Sequence, residues 1–399
     1  MTRSQTNFVF LLVNILIYSF IVFRSDMIYF NHRPNLNNFL SSYGFHIISF
    51  FSIFGSSFFL ARVLKCKLVW TFGFFVIFEL LLIAILFSGF KFFPQELKVN
   101  NSFVPFKVLG NNIRPTIQFE VNISKFDSEL FYTLKPGKSR FESFEFDIPL
   151  FVNTKGLRDD EKSLNKPKVI FLGDSFTMGW GVNQEESFAS VFEKKTQINT
   201  LNAGISSYGT AREYLMLNRL DIDSTKLIVI QFHDTDFEEN MYFNANNSLP
   251  KRDKWFFDQN VKNNMQAKVY YPFKYFNSFV KNLVFYFKEL RNAHRGLNVY
   301  ENGAKDFYNI VSRIQKIYKG KILITYLGSF QTTNTCIVAF KKYAEKNDIK
   351  NVEFIDFSKK LNHKNYFFYD DHLNKFGHEV VGREMATWYE NMIKSGKLN

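Results

Sequence analysis

The apolar positions of this chain fall into two regimes. Up to about residue 90 they form long runs. Phe8–Phe23 is broken mainly by Asn14 and Ser19, Ile47–Leu60 is rich in Phe, Ser and Gly, and Leu68–Phe90 is interrupted by Thr71, Glu79 and Ser88. A bilayer helix needs ~20 apolar residues, so the third run spans unaided and the first two need their flanking residues. Beyond Lys168 the runs shorten and alternate with amphipathic stretches. Val169–Leu172, Ile198–Ala203, Leu227–Phe232, Ile322–Leu327 and Val352–Phe357 read as buried strands. Ser187–Lys195, Thr210–Leu220, Ala304–Tyr318, Thr333–Lys346 and Asn374–Ile393 read as helices, with Thr210 and Asn302 as candidate caps. Strands alternating with helices predict an α/β fold with a doubly wound parallel sheet.

The domain organisation follows. Residues 1–90 are expected to form a membrane region of three helices, 91–165 a linker with lead-in strands, and 166–399 an α/β domain interrupted by an insertion at 234–303. In the linker, Ile117–Val121 and Phe144–Phe151 suggest extended segments. The insertion carries an aromatic and basic run, Tyr270–Lys288, which suits a helix covering the rim of the sheet, or stacking on sugars or a membrane interface.

Charge sets the expected orientation. Arg3 precedes the first span, and Arg62, Lys65 and Lys67 crowd the link between the second and third. The link from Arg24 to Tyr43 carries Arg24 and Arg33 opposed by Asp26. The positive-inside rule then puts the N-terminus in the cytoplasm and everything after Phe90 outside it: a multi-pass cell-membrane protein with its α/β domain extracytoplasmic. Several apolar runs argue against a single cleaved signal peptide. Glu79 lies mid-span, where a bond to Ser56, Ser57 or Asn14 of a neighbouring helix accounts for it. Cys66 and Cys336 fall on opposite sides of the membrane, so no disulfide framework is expected. The net charge of +13 suits anionic glycans or lipid headgroups, or equally reflects a Lys- and Asn-rich composition, and no arginine-rich helix or zinc finger points to nucleic acid.

Candidate chemistry clusters at strand ends. Gly173-Asp174-Ser175 follows the first strand, Asn202-Ala203-Gly204 the second and His233-Asp234-Thr235-Asp236 the third, and Asp370-Asp371-His372 precedes the last helix. In a parallel sheet these loops share one edge, where ligands bind. A serine hydrolase needs a nucleophile, a base, an orienting acid and oxyanion donors, and Ser175, His372, Asp370 and Gly204 fill those roles. Ser175 as a helix cap is the plainer reading of that residue alone. Asp174 and Asn202 are expected to tie their own loops, and His233 and His378 to pack or face solvent. A metal held by His233, Asp234, Asp236, Asp370 and His372 lacks diagnostic spacing.

The segments GDSFTMGWGV, NAGISSYGT, QFHDTDFEEN and DDHLNKFGH occur in that order. Through them the chain from about Asn153 onward resembles the SGNH (GDSL) hydrolase superfamily. The resemblance implies a flavodoxin-like three-layer fold, ester hydrolysis or acyl transfer on oxygen, and no cofactor. It implies Ser175 as nucleophile, His372 as base and Asp370 as acid, with the Ser175 and Gly204 N–H groups in the oxyanion hole. Two positions depart from the family pattern. Its acid stands three residues before the histidine, where this chain has Tyr369. The shorter Asp370 spacing is similar to membrane-associated polysaccharide O-acetyltransferases, and Asp371 is a second candidate. Its third-block Asn, a further oxyanion donor, is replaced by Thr235. The expected partners are a membrane, an acylated carbohydrate substrate and a membrane-bound acyl-transfer protein. Esterase and transferase remain open, as does a non-catalytic glycan-binding or assembly role.

Overall fold

The computed structural model describes residues 3–30, 45–99, 106, 109–110, 114–281, 283, 298–328 and 334–398. Arg33 and its loop, the aromatic run beyond residue 283, and Thr333 lie outside them. The chain forms two compact units, residues 1–113 with 266–293, and residues 114–265 with 294–399.

The first unit is built on α1 (Arg3–Phe30), α2 (Phe45–Val63) and α3 (Leu68–Phe92). His46–Val63 and Leu68–Phe92 are long and apolar enough to cross a membrane, whereas the apolar part of α1 is shorter, Ser4–Ser19. Their outer faces carry bare apolar side chains, including Leu16, Phe51, Trp70 and Ile77. Helices α1 and α2 approach closely at Gly55, where a Cβ would sit 2.9 Å from Asn14 Oδ1. Thr71 Oγ1 of α3 donates to the Ser57 carbonyl of α2 at 2.8 Å.

Residues 270–281 belong to this unit, which corrects the expectation that the aromatic run caps the sheet. Phe273 packs on Phe50 and Phe72, and Phe276 on Phe75 and Phe78. Asn277 bonds Tyr18 and Ser49. The expected partners of Glu79 are also corrected. Its carboxylate accepts from the N–H groups of Tyr275 (3.2 Å) and Phe276 (2.7 Å) and from the Tyr270 hydroxyl (3.3 Å). Ser57 and Asn14 are turned to carbonyls of their own helices. The physical reason is that the first turn of the helix at 274–281 leaves N–H groups without intrahelical acceptors, and a carboxylate satisfies two of them.

The second unit holds β1 (Ser124–Asp127) and β2 (Phe131–Leu134) as one antiparallel hairpin, and β3 (Gly137–Glu142) and β4 (Asp147–Val152) as another. The segment expected to be extended at Ile117–Val121 is instead a single 3₁₀ turn, Ile117–Phe119. After β5 (Val169–Leu172) the main domain runs α4 (Ser175–Met178), α5 (Phe188–Thr196), β6 (Thr200–Asn202), α6 (Thr210–Leu217), β7 (Leu227–Phe232), α7 (Asp236–Asn246) and α8 (Lys254–Lys268). It continues through α9 (Asn298–Ile317), β8 (Lys321–Tyr326), α10 (Thr335–Lys346), β9 (Val352–Ile355) and α11 (Lys375–Lys394).

The five parallel strands run in the order β6-β5-β7-β8-β9. Numbered along the chain this is 2-1-3-4-5, the flavodoxin-like order, with its switch point at the end of β5. Alternate residues of each strand feed opposite faces. Ile170, Leu172, Ile228, Ile230, Ile322 and Ile324 pack with Met216, Phe307 and Phe340 of α6, α9 and α10. Val169, Phe171, Leu227, Val229 and Leu323 pack with Phe188, Phe192, Val381 and Met385 of α5 and α11. Two caps differ from expectation. Gly209 is the cap of α6, and Thr210, the first helical residue, donates its hydroxyl to buried Asp236 at 2.9 Å. Helix α9 begins at Asn298, so position 302 lies inside it.

Candidate active site

Strand β5 ends at Leu172, and the chain turns through Gly173 into the single turn of α4. Asp174, not Ser175, caps that turn: its Oδ1 accepts the Phe176 N–H at 2.9 Å. Ser175 is therefore the first helical residue, and its hydroxyl is released from capping. Its own N–H has no acceptor among the described residues. Helix α4 stops at Gly179, in the left-handed region at φ 85°. The following loop carries Trp180 back over the strand ends, and buried Arg158 ties that loop by donating to the carbonyls of Met178, Gly179 and Val182.

The structure brings Ser175, His372 and Asp370 together. Ser175 Oγ lies 2.6 Å from His372 Nε2, and His372 Nδ1 lies 2.5 Å from Asp370 Oδ1. All three are buried. Asp370, not Asp371, is the carboxylate bonded to the imidazole. With only one residue between them, Asp370 Oδ1 also accepts the backbone N–H of His372 at 3.0 Å. This fixes the angle between the two side chains. Glu145, in the β3–β4 turn, accepts the N–H groups of Phe368, Tyr369 and Asp370 and so holds the loop from below.

Two residues outside the expected set complete the surroundings of Asp370. Trp180 Nε1 donates to its Oδ2 at 3.0 Å, and Arg114 Nη1 to its Oδ1 at 2.7 Å. Burial pushes the Asp370 carboxyl up, but His372 and Arg114 outweigh it and hold the group well below the usual carboxylate range. The His372 ring lies between Trp180 (centroids 4.8 Å, 19°) and Phe176 (4.9 Å, 36°). Trp180 is held in turn by Phe141 and Phe146 of the second hairpin. The lead-in strands are thus part of the site's wall rather than a spacer.

The expected oxyanion donors are arranged less simply. Gly204 sits against α4, where a Cβ would fall 2.4 Å from the Met178 nitrogen, so only glycine fits. Its N–H donates to Asn202 Oδ1 at 3.0 Å, and Asn202 Nδ2 donates to the Thr177 carbonyl at 2.8 Å. Asn202 thus ties its loop, as expected. Thr235 is exposed, and its hydroxyl lies 3.0 Å from His233 Nδ1, which also accepts the Thr235 N–H at 3.3 Å. His233 is half-buried and stacked on Phe176. His378 is fully buried, accepts the Phe188 N–H at 3.1 Å and stacks on Phe188. Burial first, then the charges of Arg158 and His372, push its imidazole down to about 3.

Among the described residues no group of three or more His, Cys, Asp or Glu could hold a metal ion. The acidic residues diverge: Asp370 faces His372, and Asp236 faces Thr210. Beneath the site, burial pushes the carboxyls of Glu213 and Asp236 well above their ordinary range, each reinforced by neighbouring acids.

Three parallel strands deliver Ser175, Gly204 and Thr235 at their carboxyl ends, and the loop before α11 brings His372 to Ser175. The strand order is flavodoxin-like, the order that the resemblance to the SGNH hydrolases implies. No protein-family model and no curated protein sequence matches the chain. Similar solved structures include a Desulfitobacterium hafniense protein described as lipolytic and of the G-D-S-L family. The likeness covers 55% of this chain and 98% of that one, at 15% identity and a TM-score of 0.34. A family 2 carbohydrate esterase with a carbohydrate-binding domain, from Myceliophthora fergusii, is similar over 57% of this chain and 67% of its own, at 12% identity and a TM-score of 0.35. A family two carbohydrate esterase from Cellvibrio japonicus is similar over 57% of this chain and 62% of its own, at 13% identity and a TM-score of 0.34.

Proposed function

We propose that this chain is a membrane-anchored serine enzyme that removes or transfers an O-acyl group, most simply acetyl, on a hydroxyl of an envelope glycan. The observation that carries the reading is the hydrogen-bonded line Ser175 Oγ, His372 Nε2, His372 Nδ1, Asp370 Oδ1, with spacings of 2.6 and 2.5 Å at its two contacts. Ser175 Oγ attacks the acyl carbonyl while His372 Nε2 takes its proton, and Asp370 supports the imidazolium. The Ser175 N–H, with donors from the Gly204 and Thr235 loops, faces the developing oxyanion. The alkoxide leaves with the proton from His372, giving an acyl-Ser175 ester. Water or a sugar hydroxyl, deprotonated by His372, then attacks that ester and restores Ser175. No cofactor enters any step.

On this reading the N-terminal helices, of which His46–Val63 and Leu68–Phe92 are long and apolar enough to span, anchor the chain with its catalytic unit outside the cytoplasm, beside envelope glycans. A membrane-bound acyl-transfer protein is the partner such an arrangement suits.

A second reading, a glycan-binding or assembly protein without turnover, draws support from one observation. The Gly204 N–H and the Thr235 hydroxyl are each engaged by a neighbouring side chain. Intact-protein mass spectrometry after exposure to a fluorophosphonate separates the two. A single adduct mapped to Ser175, absent from Ser175→Ala and His372→Ala, is expected of the enzyme. An unmodified chain favours the binding protein.

A further inference from the structure

Arg114 is the one cation in direct contact with the Ser175–His372–Asp370 line among the described residues. Its Nη1 lies 2.7 Å from Asp370 Oδ1 and 3.1 Å from His372 Nδ1, and its guanidinium lies over the Trp180 ring, 5.2 Å from the centroid. Its side chain is 31% exposed, whereas that of Asp370 is 7% exposed. The charge therefore enters from the rim and reaches the buried carboxylate.

Donor counting fixes what this contact does. A guanidinium has only donors. When His372 Nδ1 carries its proton and gives it to Asp370, the arginine at 3.1 Å cannot also bond Nδ1, and Asp370 Oδ1 alone holds it. In the opposite tautomer Arg114 could donate into Nδ1, and Nε2–H would point at Ser175 Oγ, leaving no base for the serine proton. The 2.5 Å spacing of Nδ1 and Oδ1 favours the first arrangement. Once His372 accepts a second proton, the imidazolium meets a fixed positive charge at its Nδ1 edge.

We propose that Arg114 is a positioning residue that clamps Asp370 opposite Trp180 and, by its fixed charge beside His372, opposes a second proton on the imidazole that serves as base. The inference rests on His372 being the base of the proposed reaction. Among the described residues, the other ionisable groups near His372 are Asp371, Glu145, His378 and His233. Asp371 is on its own loop beside Tyr366, Glu145 binds the loop's backbone, and His378 lies within α11 near Arg158. His233 is reached only across Phe176.

The test uses the full chain in detergent with ¹⁵N-labelled histidine. NMR follows the ring nitrogens of His372 against pH in the wild type, Arg114→Gln and Arg114→Lys, and the pH profile of kcat/KM is recorded beside it. Arg114→Gln is expected to raise the His372 midpoint and the acidic limb of kcat/KM together by about 1 pH unit, the low end for a neighbouring like charge, because the arginine is partly exposed. Arg114→Lys, which keeps the charge but not the fork, should stay near the wild-type midpoint. A midpoint that does not move, or moves down, in folded Arg114→Gln overturns the proposal. So does a shift in Arg114→Lys equal to that in Arg114→Gln. The ring titration does not need turnover. A chain that never labels at Ser175 yet shows the expected midpoint shift fails the enzymatic reading and leaves the electrostatic role of Arg114 standing.

Discussion

The indole of Trp180 lies nearly parallel to the imidazole of His372, with centroids 4.8 Å apart, while its N–H donates to Asp370 Oδ2. One side chain thus touches both partners of the serine. Trp180→Phe keeps a ring against His372 but removes the donor. A hydrogen bond to a charged group is worth about 1.5–3 kcal/mol, and Asp370 keeps its other donors, so kcat on a simple ester should fall about tenfold. Trp180→Leu should lose more, since the stack goes too. Equal rates for wild type and Trp180→Phe would show that Oδ2 needs no donor.

The choice of acid is tested by a pair of amides. Asp370→Asn should lower kcat by several orders of magnitude in a chain that still folds, because an amide cannot support imidazolium or hold the Nδ1–H tautomer. Asp371→Asn should leave kcat within a few-fold. Small and similar losses in both would mean that His372 acts without an acid.

His378 separates stability from chemistry. Its imidazole is held neutral down to about 3, whereas in the unfolded chain it protonates near 6.5. The unfolded state therefore binds more protons between these values, and stability falls as pH drops through that window. His378→Gln offers Phe188 N–H another acceptor. Urea midpoints from pH 7 to 4 should decline less steeply in this variant, with turnover at pH 7 close to wild type. His372→Ala should do the reverse, abolishing turnover as fully as Ser175→Ala. An unchanged urea slope in His378→Gln would remove His378 from the acid response.

Thr235 tests whether the oxyanion hole is complete. An oxyanion donor contributes about 3 kcal/mol, or on the order of 10²–10³ in turnover. The Thr235 hydroxyl lies 3.0 Å from His233 Nδ1, which competes for it. Thr235→Asn places an amide donor there and should raise kcat without changing KM, because the new bond forms only as charge develops. A fall in kcat at constant melting temperature would show that another group already fills the hole.

Orientation is tested with fusions. A reporter active only outside the cytoplasm, fused after Phe90, should be active, and one fused at Lys65 silent. The opposite pattern would reverse the topology.

Much of the catalytic unit was legible because parallel strands are short apolar runs closed by turn residues. Val169–Leu172 and Leu227–Phe232 match the structure residue for residue, and the loops after them carry Ser175 and Thr235. His372 was legible from its place before the last helix. Arg114 was not, since it comes from a stretch without periodicity and meets Asp370 only through the fold. Trp180 stood inside a recognised segment, but nothing local says that an indole will turn toward a carboxylate 190 positions away. The aromatic run near Phe273 was ambiguous for a different reason. Rings that cover a sheet and rings that cover apolar helices have the same composition, and only the bond from Glu79 to the 274–281 turn decides between them.

That bond bears on how the molecule can be taken apart. Because residues 266–293 fold with the N-terminal helices, the peptide crosses between the two units three times rather than once. A protease cutting once near residue 113 would not release the catalytic unit, which stays threaded at two further junctions. A fragment beginning at Arg114 would still carry Phe273, Tyr275 and Phe276 with their packing partners removed and the helical turn at 274–281 without its carboxylate. Such a fragment should aggregate. Replacing 266–293 by a short polar linker after Met265 should yield a soluble second unit.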